Sequence, residues 1–151
     1  MFECREETFS EARSDIEKLL AEHWEEIALN KDKIKLKPDW FGYEQMYMMG
    51  RLCIVTARDK GVVVGYAVFI LMRHLHYSSN VYALNDVLFL KKSHRKGTAG
   101  FRLLRAAEQI LRDKGVSKIN WHVKVHHDFG VLLKRLGYQL EETVWGKCVG
   151  E

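Results

Sequence analysis

The run Asp86-Val-Leu-Phe-Leu90, the basic turn after it and the amphipathic stretch that follows constrain this fold more than any other part of the chain. The turn carries Arg95, Lys96, Gly97 and Gly100. Beyond it, Leu103, Leu104, Ala107, Ile110 and Leu111 recur at helical spacing until Gly115 closes the pattern. A strand, a turn and a helix in that order leave the first helical N–H groups without internal acceptors and aimed into the turn. Such a turn attracts anions, and glycine lets backbone approach a phosphate with no side chain between. A phosphate-bearing ligand is expected here.

Two familiar phosphate loops fail the test. Neither G-x-x-x-x-G-K-[ST] nor G-x-G-x-x-G occurs, and no acid stands at the ribose-binding distance in a βαβ frame. The segment instead resembles the pyrophosphate loop of the GNAT family of N-acetyltransferases. That loop reads R/Q-x-x-G-x-G/A after the fourth strand, then two residues and an aliphatic pair. With Arg95 in first position, Thr98 takes the middle glycine slot, Gly100 the last, and Leu103-Leu104 the pair. Starting at His94 aligns Gly97 and Ala99 but spoils the pair, so the first register is preferred.

Composition agrees with one ordinary domain spanning 1–151. Hydrophobic residues make up 47% and charged residues 29% of the chain, a normal globular balance. No apolar run is long enough to span a bilayer, and the acidic start Met1-Phe-Glu-Cys-Arg-Glu-Glu7 does not read as a signal peptide. Cys4, Cys53 and Cys148 are odd in number and lack C-x-x-C spacing, so free thiols in a reducing cytoplasm are expected. The net charge of +4 suits an anionic cofactor.

Along the chain, residues 2–7 read as a strand, and Thr8 with Glu11 as a capping box opening a helix. Asp39 is a plausible cap for a second helix and Gly50 its stop. Strands follow over 52–56, 62–72 and 82–90, with Asp59-Lys60-Gly61 as a hairpin turn. After the helix over 100–114 come a strand at 119–125, a short helix at 128–135 and a last strand at 138–149. The order β-α-α-β-β-β-α-β-α-β is that of the GNAT fold. It is α/β, with a mixed central sheet of about six to seven strands flanked by helices. Leu132-Leu-Lys-Arg-Leu-Gly-Tyr138 resembles the closing motif L-Y-E-K-x-G-F. The runs Asn30-Lys-Asp-Lys33, His76-Tyr77-Ser78, Asn85-Asp86-Val87 and Val123–Phe129 are similar to small acetyltransferases encoded by phages and prophages.

This resemblance implies acetyl-CoA as cofactor and a primary amine, on a small molecule or a protein, as acceptor. Leu88 and Leu90 would pair with the pantetheine arm between two splayed strands. Arg95, Lys96, Gly97, Ala99, Gly100 and Phe101 would hold the pyrophosphate. A strand N–H would polarise the thioester carbonyl, and proximity would supply much of the rate. Asp86, in an otherwise apolar strand nine residues before Arg95, is the candidate general base, its pKa raised by burial. The alternative is a structural carboxylate at a strand irregularity. The tyrosine that protonates the departing thiolate is replaced by Leu133, and Tyr138 reads as packing. Water, His126 or His127 would then serve, and His126 falls where relatives place a cofactor-touching asparagine.

The remaining features have plainer readings. The seven histidines match no recognised metal set, and no metal is expected. The Met and aromatic residues of 39–49 read first as core and second as an acceptor wall. Lys91, Lys92, His94, Arg95, Lys96, Arg102 and Arg105 suit the cofactor's phosphates. No stacking aromatics alternate with them, so nucleic acid is not expected. Lys31, Lys33, Lys35 and Lys37 read as a solvated edge. The last strand could pair across a homodimer. Without the tyrosine, a non-catalytic acyl-CoA-binding or protein-docking module is the rival from another class.

Overall fold

A computed structural model describes residues 1–150 of the protein. Strand β1 (Phe2–Glu7) leads into helix α1 (Phe9–Ile27) through a reciprocal cap. Glu11 N donates to Thr8 Oγ1 at 3.2 Å, and Thr8 N donates to Glu11 Oε2 at 2.8 Å. Helix α2 (Trp40–Met48) starts on the Asp39 carboxylate, which accepts from Gly42 N at 2.9 Å. Strands β2 (Leu52–Asp59) and β3 (Val62–His74) meet at a two-residue turn. Lys60 and Gly61 there have φ of 51° and 82°, the twist an antiparallel hairpin needs. Strand β4 (Tyr77–Leu90), a 3-10 turn at Lys92–His94, helix α3 (Ala99–Asp113), strand β5 (Lys118–Asn120) and helix α4 (Gly130–Arg135) follow.

The sheet runs β1-β2-β3-β4-β5, antiparallel except for the parallel β4–β5 pair. Both faces of its centre are covered, so Leu52–Thr56 are buried without interruption. On one face Cys53, Val55, Phe69 and Ala83 pack against Leu103, Ala107 and Leu111 of α3. On the other Ile54, Tyr66, Val68 and Phe89 pack against Phe9, Ala12, Ile16 and Leu19 of α1.

The expected element order holds through α4, and two boundaries are corrected. The sheet has five strands, not six or seven, because 138–149 forms no strand among the described residues. Strand β5 stops at Asn120, short of the expected 125, so it offers three residues as a template for another strand. The tail carries strand-like side chains but leaves Leu140, Val144 and Trp145 at least 85% exposed. Its base is tied by Tyr138 N to Leu133 O at 3.0 Å and by Lys118 Nζ to Glu141 Oε2 at 2.7 Å.

One buried ion pair fastens β1 to the sheet. Arg58 Nε and Nη2 donate to Glu7 Oε1 and Oε2 at 2.7 and 3.0 Å, and Arg5 Nε adds a bond of 2.9 Å. Burial alone would raise the Glu7 carboxyl, but the Arg58 and Arg5 bonds overcome it and hold the group at about 2. A depressed carboxyl contributes stability above its unfolded value of 4.5 and loses it as the pH falls toward about 2. Glu7→Ala removes the two-oxygen partner of the largely buried Arg58 guanidinium and leaves it Asp15 Oδ2 at 3.0 Å and Gly61 O at 2.8 Å. It is expected to cost about 3 kcal/mol, or about 6–12 °C in Tm. Thermal melts of both proteins check this, and the difference between them should shrink as the pH is lowered from neutral through the 4.5-to-2 window.

Candidate active site

Strands β4 and β5 pair only at Tyr82–Lys118, Ala83–Ile119 and Leu84–Asn120. The side chain of Asn85 then stands in for backbone. Its Oδ1 accepts from His122 N, and its Nδ2 donates to His122 O at 3.3 Å. Past this bracket the strands part. The edge of β4 from Asp86 to Leu90 faces a cavity of about 580 Å³ closed by 122–132 and α1. The gap follows from register. Val68 pairs with Val87 and Phe69 with Asn85, so Asp86 is an extra residue bulged out of β4.

The bulge corrects the expectation for Asp86. Its side chain is exposed, not buried, because the extra residue breaks the alternation that would have turned it inward. It accepts a hydrogen bond from the phenol of Tyr43 on α2. Burial, and then Asp86, push the Tyr43 phenol well above its ordinary value, so it stays a donor.

Leu88, Leu90, Arg95 and Gly100 line the same cavity. Gly97 has φ of 81°, and its turn feeds α3. The N–H groups of Lys96 to Phe101 donate to no acceptor among the described residues, and Thr98 makes no side-chain cap. Lys96, Gly97, Ala99 and Phe101 are not among the residues that line the cavity. Lys92, Lys96 and Arg105 make no ion pair among the described residues.

Three further expectations change. Arg95 is a staple between the loop and α1. It forks onto both carboxylate oxygens of Glu26, with Nη2 to Oε2 at 2.7 Å, and its Nε donates to Leu90 O at 2.6 Å. Among the other expected phosphate contacts, His94 is spent on Asp59 at 3.0 Å and Arg102 on Phe2 O at 2.9 Å. His126 holds Ile27 O at 3.0 Å and does not line the cavity, whereas His127 does and stands 3.5 Å from Glu26. Leu133 is buried, and Tyr138 packs edge-on to Trp121, as its packing role predicts.

Several contributors were missed. Glu26 lies 69 residues from Arg95, and its only signal is a carboxylate flanking the apolar stripe of α1. Asn85 entered the sequence reading only within the run Asn85-Asp86-Val87, with no role of its own. His23 also lines the cavity. Burial lowers it to about 4, so it is neutral, bonded to Tyr66 Oη at 2.8 Å and stacked on Phe89.

A second cavity of about 510 Å³ adjoins the first across Trp24 and Val87, walled by α1, the 29–38 segment and α2. Trp40 and Tyr43 face it while also packing on the core, as the core reading of the aromatic helix expects. Lys35 and Lys37 line it too and are not merely a solvated edge.

The fold as a whole has counterparts among solved structures. It is shared with an aminoglycoside acetyltransferase from an uncultured soil metagenomic sample, at TM-score 0.75, 16% identity and 99% coverage of each chain. It is shared with glucosamine-6-phosphate N-acetyltransferase from Arabidopsis thaliana, at 0.73 and 12%, again covering 99% of each. A predicted acetyltransferase from Clostridium acetobutylicum, solved with acetyl-CoA, matches at 0.69 and 12%, covering 99% of this chain and 97% of that one. No curated protein matches the chain. Residues 13–138 match the acetyltransferase (GNAT) family, and the chain belongs to it. Acetyl transfer to an amine is the activity this family and fold carry. No described helix is long and apolar enough to cross a membrane.

Proposed function

We propose that residues 1–151 form one N-acetyltransferase domain that uses acetyl-CoA and acetylates a primary amine by direct attack. The observation that carries this is the parting of β4 from β5 beside six unclaimed N–H groups at the start of α3. The donor set fits the cofactor. Amides 96–101 with Lys92, Lys96 and Arg105 would hold its phosphates, and the edge of β4 at Leu88, before the Leu90 carbonyl that Arg95 occupies, would hold its amides. Acetyl-CoA, when bound, supplies an activated acetyl thioester. Asp86, presented by the bulge and steadied by Tyr43, accepts the amine's proton. His127, on the cavity wall and within 3.5 Å of Glu26, replaces the missing tyrosine as the proton carrier on the thiolate side.

Three free cysteines agree with a cytoplasmic enzyme, and the four sequence runs described above favour a phage-type member of the family. The exposed Leu140, Val144 and Trp145 favour a homodimer that covers the tail. Incubating the protein with acetyl-CoA and an amine panel should release free thiol and add one acetyl mass to an acceptor. Stabilisation by acetyl-CoA with no thiol release for any amine would leave a binding module instead.

A further inference from the structure

The second cavity has an uneven chemistry. Its floor and walls are apolar or aromatic, including Trp24, Trp40 and Tyr43. Every charged side chain lining it is a cation: Arg13, Lys35, Lys37 and Lys124. Arg13 is fixed over the face of Trp40, 4.9 Å from the ring centre. The 29–38 segment brings Lys35 and Lys37 to the rim, and Lys124 lines both cavities where they meet. The lining itself holds no carboxylate: Asp39 beside it is spent capping α2 on Gly42 N, and Asp86 lies on the other cavity's wall behind Tyr43, where an amine would react.

Given acetyl transfer at this site, we propose that the acceptor is an amine on an apolar, aromatic-sized body that bears an anionic group, carboxylate or phosphate, at its far end. The cavity is within the range that encloses such a molecule. The aromatic walls take the flat body. The amine points to Asp86, and the anion meets the Lys35–Lys37 rim and Arg13. A polycationic amine sets its additional ammonium groups against four like charges with no carboxylate in the lining to offset them, so it is disfavoured.

Three matched amines test this: 4-(2-aminoethyl)benzoate, 4-methylphenethylamine and 4-(2-aminoethyl)benzylamine. They share the reacting arm and differ only at the far end. Quenching of tryptophan fluorescence is titrated with each in protein saturated with coenzyme A, which reads binding without turnover. The carboxylate should bind about tenfold tighter than the neutral amine, and the diamine weakest. In Lys35→Glu with Lys37→Glu, both exposed, that order should reverse. Equal affinities, tighter binding of the diamine, an unchanged order in the double variant, or no binding by any compound would each overturn the assignment. Thiol release from acetyl-CoA is followed in parallel. Ordered binding with no release would sink acetyl transfer but keep the pocket's charge preference. Release with a flat order would do the opposite.

Discussion

Gly100→Glu is expected to abolish the stabilisation that acetyl-CoA gives the wild-type protein. At about a hundred times Kd a ligand adds about 2.7 kcal/mol, a rise of about 5–10 °C in Tm for a chain of this size. The substituted carboxylate would stand at the mouth of the cavity, among N–H groups that have no other acceptor. It would place negative charge where the phosphates must sit and cap the free amides from within. The fold should survive, because a Cβ at Gly100 meets Leu132 Cδ1 at 3.4 Å and Leu90 Cδ2 at 3.9 Å, ordinary packing distances. Gly100→Ala is therefore the control and should keep nearly the full shift. Arg95→Ala separates loop chemistry from loop architecture. Its guanidinium is committed to Glu26 and Leu90 O, so the variant should melt lower without ligand yet still gain stability from acetyl-CoA. Differential scanning fluorimetry with and without acetyl-CoA checks all three. An undiminished shift in Gly100→Glu would remove the loop assignment.

What the sequence disclosed was local. Capping at Thr8 and Asp39, the Lys60-Gly61 turn and the stripe of α3 are written within a few residues of one another, and each stands where its pattern places it. The open sheet was legible only through the family resemblance, since nothing within β4 or β5 states that they part after Leu84. The Arg95–Glu26 pair was not legible because the partner is remote: a loop arginine beside glycines suits a phosphate and a distant glutamate equally well. The tail misled for the opposite reason. Residues 138–149 have strand-forming side chains, but a strand needs a neighbour, and β5 ends after three residues. Asp86 shows the limit of reading burial from an apolar strand. A single bulged residue reverses which face every neighbour takes, and period-two reasoning cannot see it.

That bulge makes Asp86 the position whose replacement should cost the most in turnover. Asp86→Asn keeps the size of the side chain and the partnership with Tyr43 while removing the proton acceptor. A positioned base contributes about 10²–10⁴-fold, so kcat is expected to fall by about that factor while acetyl-CoA stabilisation is unchanged. The split matters because Asp86 also lines the cavity proposed for the cofactor. A purely structural carboxylate would instead lower Tm or weaken the cofactor, and leave the turnover of bound acceptor nearly intact. Tyr43→Phe supplies the second arm. It deletes the donor that holds Asp86 but leaves the aromatic packing on α1 and the sheet, so its loss in kcat should be smaller than that of Asp86→Asn. Because the phenol resists ionisation, it cannot stand in as the base, and combining the two changes should cost little more than Asp86→Asn alone. Initial rates of thiol release against acceptor concentration, measured for the three variants at one pH, give kcat and KM separately. Wild-type kcat in Asp86→Asn would end its role as the base.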